Sequence, residues 1–97
     1  MASSSREYFD YLQFSLHPNP VSSSGQLNLQ LTLPKASRLQ FRLLDITGRP
    51  VRSFDLGEQA SGGQSFSIDM AGLADGVYFL ETSLSRKVLD VRKVMVK

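Results

Sequence analysis

Apolar and polar residues alternate along most of this chain. A period of two is the signature of strands that bury one face, because successive side chains point to opposite sides. Leu27, Leu29, Leu31 and Leu33, interleaved with Asn28, Gln30 and Thr32, form the clearest run. Leu39, Phe41 and Leu43 repeat it around Gln40 and Arg42, after which Leu44 and Ile46 move the apolar set to the other parity. A bulge or entry into a turn near Leu43 is expected there. The same pattern predicts strands at about Gln13–His17, Val51–Leu56, Gln64–Met70, Val77–Leu84 and Val88–Val96, seven in all. Helical spacing is hard to find.

Turn signals fall between these runs: Pro18 and Pro20 close the first, Pro34-Lys35-Ala36-Ser37 separates the second and third, and Thr47-Gly48-Arg49 and Ser61-Gly62-Gly63 make later connections. Short strands with Gly and Pro punctuation and no helices between them predict an all-β fold, a seven-stranded antiparallel β-sandwich of immunoglobulin-like arrangement. With no cysteine in the chain it has no disulfide. A length of 97 residues leaves room for one small core. The expected division is 1–14 as a linker remnant or cloning-derived lead-in, opening on the polar Met1-Ala2-Ser3-Ser4-Ser5, and 15–97 as the domain.

Composition narrows the chemistry. The 41% apolar content is too high for a disordered tail, and a net charge of +2 gives little pull toward nucleic acid or anionic membrane. No run approaches a transmembrane helix or a signal peptide. One histidine, no cysteine and nine scattered carboxylates leave no His-dependent hydrolase triad and no clustered metal site, so the chain reads as a non-enzyme without cofactor. His17 precedes a proline and reads as a strand-end residue. Ser22–Ser24 read as a polar loop. Asp45 and Asp75 stand just before glycines, where a short carboxylate accepts backbone N–H bonds, and the dense oxygen-ligand spacing of a calcium loop is not present. Aromatic and basic residues do not interleave as a base-stacking platform requires.

The charge is unevenly distributed. From Leu84 onward Arg86, Lys87, Arg92, Lys93 and Lys97 face the single acid Asp90. Lysine and arginine on an edge strand protect it from pairing, and they also make a basic docking surface. The closing run Lys93-Val94-Met95-Val96-Lys97 is an apolar strand flanked by lysines where chains usually fray. Two internal motifs accompany it. Asp45-Ile46-Thr47-Gly48-Arg49-Pro50-Val51 reads as a hairpin whose glycine takes positive φ and whose Asp45 caps the turn. In Leu73-Ala74-Asp75-Gly76-Val77-Tyr78, Leu73 anchors a loop, Gly76 turns the chain, and Val77–Leu80 enters a central strand with the Tyr78 ring in the core and its hydroxyl on a polar partner.

In order and spacing, these pieces with His17-Pro18-Asn19-Pro20 resemble the type A C-terminal sorting domain of the type IX, or Por, secretion system of Bacteroidetes. Pro18, Asn19, Pro20, Asp45, Gly48, Arg49, Val51, Leu73, Gly76, Tyr78, Lys93 and Lys97 match its pattern. His17 stands where the family more often has tyrosine. The resemblance implies export to the periplasm, then the outer membrane, the cell surface or the medium, with the folded domain as the signal. It implies the type IX outer-membrane translocon, its shuttle proteins and a sortase-like peptidase as partners, and neither nucleic acid nor a small-molecule substrate. Lys93, Val94, Met95, Val96 and Lys97, with Asp45, Gly48 and Arg49, are the expected recognition residues; Pro18, Asn19, Pro20, Val51, Leu73, Gly76 and Tyr78 are expected to be mainly structural. An exposed last strand is also expected to offer an edge for dimerisation. The rival reading is an immunoglobulin-like adhesion or carbohydrate-binding module, with Tyr8, Phe9 and Tyr11 as its aromatic platform. A plain spacer domain is the third.

Overall fold

A computed structural model of the chain describes residues 14–18 and 25–97. Its seven strands are β1 (Ser15–His17), β2 (Gln26–Leu33), β3 (Ser37–Leu44), β4 (Pro50–Gln59), β5 (Gly62–Asp69), β6 (Gly76–Leu84) and β7 (Lys87–Val96). They form two antiparallel sheets, ordered β1-β2-β5 and β4-β3-β6-β7, so the expected sandwich and its strands are present. The leucines of β2 explain why: Leu27, Leu29, Leu31 and Leu33 are all buried and line the inner face of the first sheet. Leu39, Phe41 and Leu43 of β3, Tyr78, Leu80 and Leu84 of β6, and Val94 and Val96 of β7 face them from the second. Phe41 and Phe66 meet across the sheets edge-on, with ring centroids 5.9 Å apart.

The parity change expected near Leu43 is a register shift between Leu43 and Leu44 in the β3–β4 pairing, with another between Leu39 and Gln40. Ile46, displaced beyond it, is exposed. A third shift occurs in the β6–β7 pairing, where Thr82 faces Asp90 but Ser83 faces Val88. Leu89 is the extra residue. The shift turns Asp90, Arg92, Val94 and Val96 inward, with Arg92 half-buried, and leaves Val88 and Val91 outside. The Ser85-Arg86 hairpin joining β6 to β7 has both residues at positive φ, 52° and 70°, as a two-residue primed turn requires.

Phe14, within the strand predicted at Gln13–His17 and one residue before the expected domain boundary, is only 8% exposed and belongs to the core. The expected first strand began at Gln13, which lies outside the described residues, as do Met1–Ser5, Tyr8, Phe9, Tyr11, Asn19, Pro20 and Ser22–Ser24. β6 is interior to its sheet, as its apolar run Val77–Leu80 suggests, with Tyr78 and Leu80 buried inward and Val77 and Phe79 half-buried outward.

Candidate recognition surface

Antiparallel topology gathers the separate sequence motifs at one end of the sandwich. β1 ends there at His17, opposite Asn28, and Pro18 follows, exposed. β2 begins there, with Gln26 opposite Asp69 at the close of β5. In the other sheet Leu44 faces both Pro50 and Phe79, so the β3–β4 turn projects from the same end. Gly76 faces Val96, which brings the start of β6 beside the end of β7. Arg52 ties the two sheets together at this end, donating from Nη1 to the Asp69 carbonyl at 2.8 Å and from Nη2 to the Ala71 carbonyl at 2.5 Å.

The β3–β4 turn is organised by one carboxylate oxygen. Asp45 Oδ1 accepts from the Thr47 N–H at 2.8 Å, the Thr47 hydroxyl at 2.6 Å and the Arg49 N–H at 3.1 Å. The Gly48 N–H donates to the Asp45 carbonyl at 3.0 Å, and the Asp45 N–H to the Arg49 carbonyl at 2.9 Å. These donors favour the ionised carboxylate and hold the Asp45 carboxyl below its ordinary range, the Thr47 hydroxyl contributing most and the Arg49 N–H next. Gly48 sits at φ +87°, in the left-handed region that favours glycine. With the loop closed internally, the exposed Arg49 side chain projects outward.

The β5–β6 connection is equally local. The Leu73 N–H reaches the Met70 carbonyl at 3.4 Å, and the Leu73 side chain packs against the core. The Tyr78 ring is buried and its hydroxyl donates to the Ala74 carbonyl at 2.7 Å. A tyrosine hydroxyl bonding four residues back across a sandwich corner fixes where the strand enters the sheet. Leu73 and Tyr78 of this motif thus fasten the corner to the core.

Among the described strands, β7 lies at the edge of the four-stranded sheet. Val94 and Val96 lie fully in the core, while Lys93, Met95 and Lys97 are on the exposed side. Lys93 stands opposite Phe79, and Met95 opposite Val77, in the β6–β7 register. The expected recognition residues thus divide by placement: the two valines are buried, and the lysines and Met95 face outward. Val51 on β4 is also exposed.

Three inward polar residues were not anticipated. Arg52 shares parity with Phe54 and Leu56, a signal available in the alternation of β4. Asp90 and Arg92 carried no such signal, because the bulge at Leu89 decides their face. Among the described residues no group of His, Cys, Asp and Glu is placed to hold a metal ion.

The family model described as the secretion system C-terminal sorting domain matches residues 15–97. The chain belongs to that family. This sorting domain carries the C-terminal signal of type IX secretion, which implies export across the outer membrane to the surface or the medium. Its family is one of sorting signals and not of enzymes. No curated protein sequence matches the chain.

Solved structures show how widely the sorting domain's fold is shared. An immunoglobulin-like protein from Pseudomonas aeruginosa superposes with a TM-score of 0.58 at 11% identity, covering 84% of this chain and 80% of that one. The alkylpurine DNA glycosylase AlkC of Pseudomonas fluorescens, bound to DNA containing an abasic site analog, superposes at 0.61 and 13% identity over 89% of this chain. The sorting domain spans 31% of the glycosylase's length. FlgD from P. aeruginosa gives 0.55 at 22% identity, with 87% and 74% coverage. These likenesses show the immunoglobulin-like fold alone.

Proposed function

We propose that this domain directs an attached cargo protein through the type IX outer-membrane translocon, and that the end of the sandwich carrying β7 and the β3–β4 turn is the surface engaged. The family match over residues 15–97 carries this reading. Lys93, Met95 and Lys97 from β7 and Arg49, held outward by Asp45 and Gly48, supply the contacts; Val94 and Val96 hold the strand in place. The partners are the translocon and its shuttle proteins, with a sortase-like surface peptidase removing the domain from its cargo.

Deleting residues 94–97 would be a poor test, because the loss of two fully buried valines costs about 3–6 kcal/mol, a large share of the ~5–15 kcal/mol that stabilises a small domain. Charge reversal on the exposed face separates recognition from folding. A fluorescent protein bearing a periplasmic signal peptide and residues 1–97 is expected at the surface or in the medium of a Bacteroidetes strain only when its type IX translocon works. Lys97→Glu and Arg49→Glu are expected to cut that export at unchanged melting temperature. Periplasmic retention in both strains would transfer the domain to the adhesion-module reading.

A further inference from the structure

Where β1 and β7 lie, an arginine of one sheet reaches the residue that precedes the first strand of the other. The Arg92 guanidinium carbon stands 4.9 Å from the centroid of the Phe14 ring, within the range of a cation–π contact. Arg92 Nε donates to Asp90 Oδ2 at 3.0 Å and to Oδ1 at 3.4 Å. Asp90 is buried, so its carboxylate is a fixed support on the inner face of β7. Arg92 and Asp90 belong to the strand proposed to be recognised, whereas Phe14 sits in the residues that lead into β1, one position before the family match begins.

Among the described strands β7 pairs with β6, and its inner face packs into the sandwich. That face offers Leu89, Val94 and Val96 at its two ends and the Asp90–Arg92 pair between them. On that face the guanidinium over the Phe14 ring ties the middle of the strand across the sandwich. We propose that Arg92 is a positioning residue that latches β7 to Phe14, so that seating of the residues that lead into β1 adds to the hold that β6 and the buried valines have on the recognised strand. This rests on the reading of β7 as the element the translocon engages, and it makes Phe14 part of the working signal.

Amide hydrogen exchange in the 97-residue chain tests the latch directly. Phe14→Leu keeps an apolar side chain while removing the π face, and Arg92→Gln removes the charge. Each is expected to speed exchange of the β7 amides by roughly 2- to 30-fold, while Leu29 and Leu31 in β2 keep their rates. In the double variant the effects should not multiply, since both changes break one contact. Phe14→Tyr, which retains a ring face, should exchange like the parent. Multiplying effects in the double variant, or unchanged β7 exchange in Phe14→Leu, would overturn the latch. Export of the same variants on the reporter supplies the second arm, with Phe14→Leu expected to lower export as β7 opens more often. Coupled exchange with undiminished export would overturn the role of the contact in the signal, whereas undiminished export of Lys97→Glu would overturn the reading of β7 as the recognised strand.

Discussion

Thr82 shows how much a single atom can oppose the fold. Its side chain is fully buried and its Oγ1 has no hydrogen-bond partner among the described residues. A hydroxyl taken out of water without a partner costs about 1–3 kcal/mol. Asp90 faces Thr82 across the β6–β7 pairing, but its carboxylate is engaged with Arg92 instead. Thr82→Val conserves shape, removes the orphaned oxygen and suits a strand. It is expected to raise stability by about 1 kcal/mol, read as a higher urea midpoint with an unchanged slope. A lower midpoint would show that the hydroxyl finds a partner in solution. Tyr78 is the contrasting case, its buried ring bringing a hydroxyl that is satisfied by the Ala74 carbonyl.

At the scale of the elements, the β3–β4 turn is set by glycine geometry. A Cβ built on Gly48 meets nothing within 4 Å, so the obstacle to substitution is its φ of +87° and not crowding. Gly48→Ala should therefore cost about 1–2 kcal/mol, measured by chemical denaturation. A neutral result would show that the turn relaxes to another type. This turn was legible in the sequence because glycine advertises its conformation and Asp45 its capping role. The β6–β7 turn was not, since Ser85 and Arg86 adopt positive φ without any glycine or asparagine to announce it. Alternation likewise revealed β2 and β3, where each apolar residue of one parity is buried, and even the shift near Leu43. It failed in β7. There Val88 and Val91 look like core residues by hydropathy, but the extra residue Leu89 reverses the faces and sends Asp90 and Arg92 inward. A bulge depends on the partner strand, and a single chain of letters does not display its partner. For the same reason the convergence of four motifs at one end of the sandwich appears only once the strands are paired.

For the molecule as a whole, acid titration sums opposing contributions from carboxyls placed differently in the fold. Burial raises the Asp90 carboxyl above the ordinary value of 3.8, although Arg92 pulls the other way. The folded state thus favours protonated Asp90: its contribution to stability is complete below 3.8 and is lost as pH rises through the raised value. Asp45 is lowered by the Thr47 hydroxyl and the Arg49 N–H, and Asp55 by its hydrogen bond from Arg38 and by the Gly57 N–H. Their contributions are complete above 3.8 and fade as pH falls through the lowered values. On acidification from neutrality the Asp90 contribution therefore appears first, and the other two disappear afterwards. Urea midpoints measured from pH 7 to pH 2, with Asp90→Asn and Asp45→Asn beside the parent chain, separate the groups by difference. The parent should gain on Asp90→Asn as pH falls from 7 toward about 4, because only the parent takes up that proton. It should lose its advantage over Asp45→Asn below pH 3.8. A parent curve parallel to Asp90→Asn across the first interval would mean that Arg92 cancels the effect of burial at Asp90, and a parent that lost ground there would mean that Arg92 outweighs burial and that the ionised pair stabilises the inner face of β7.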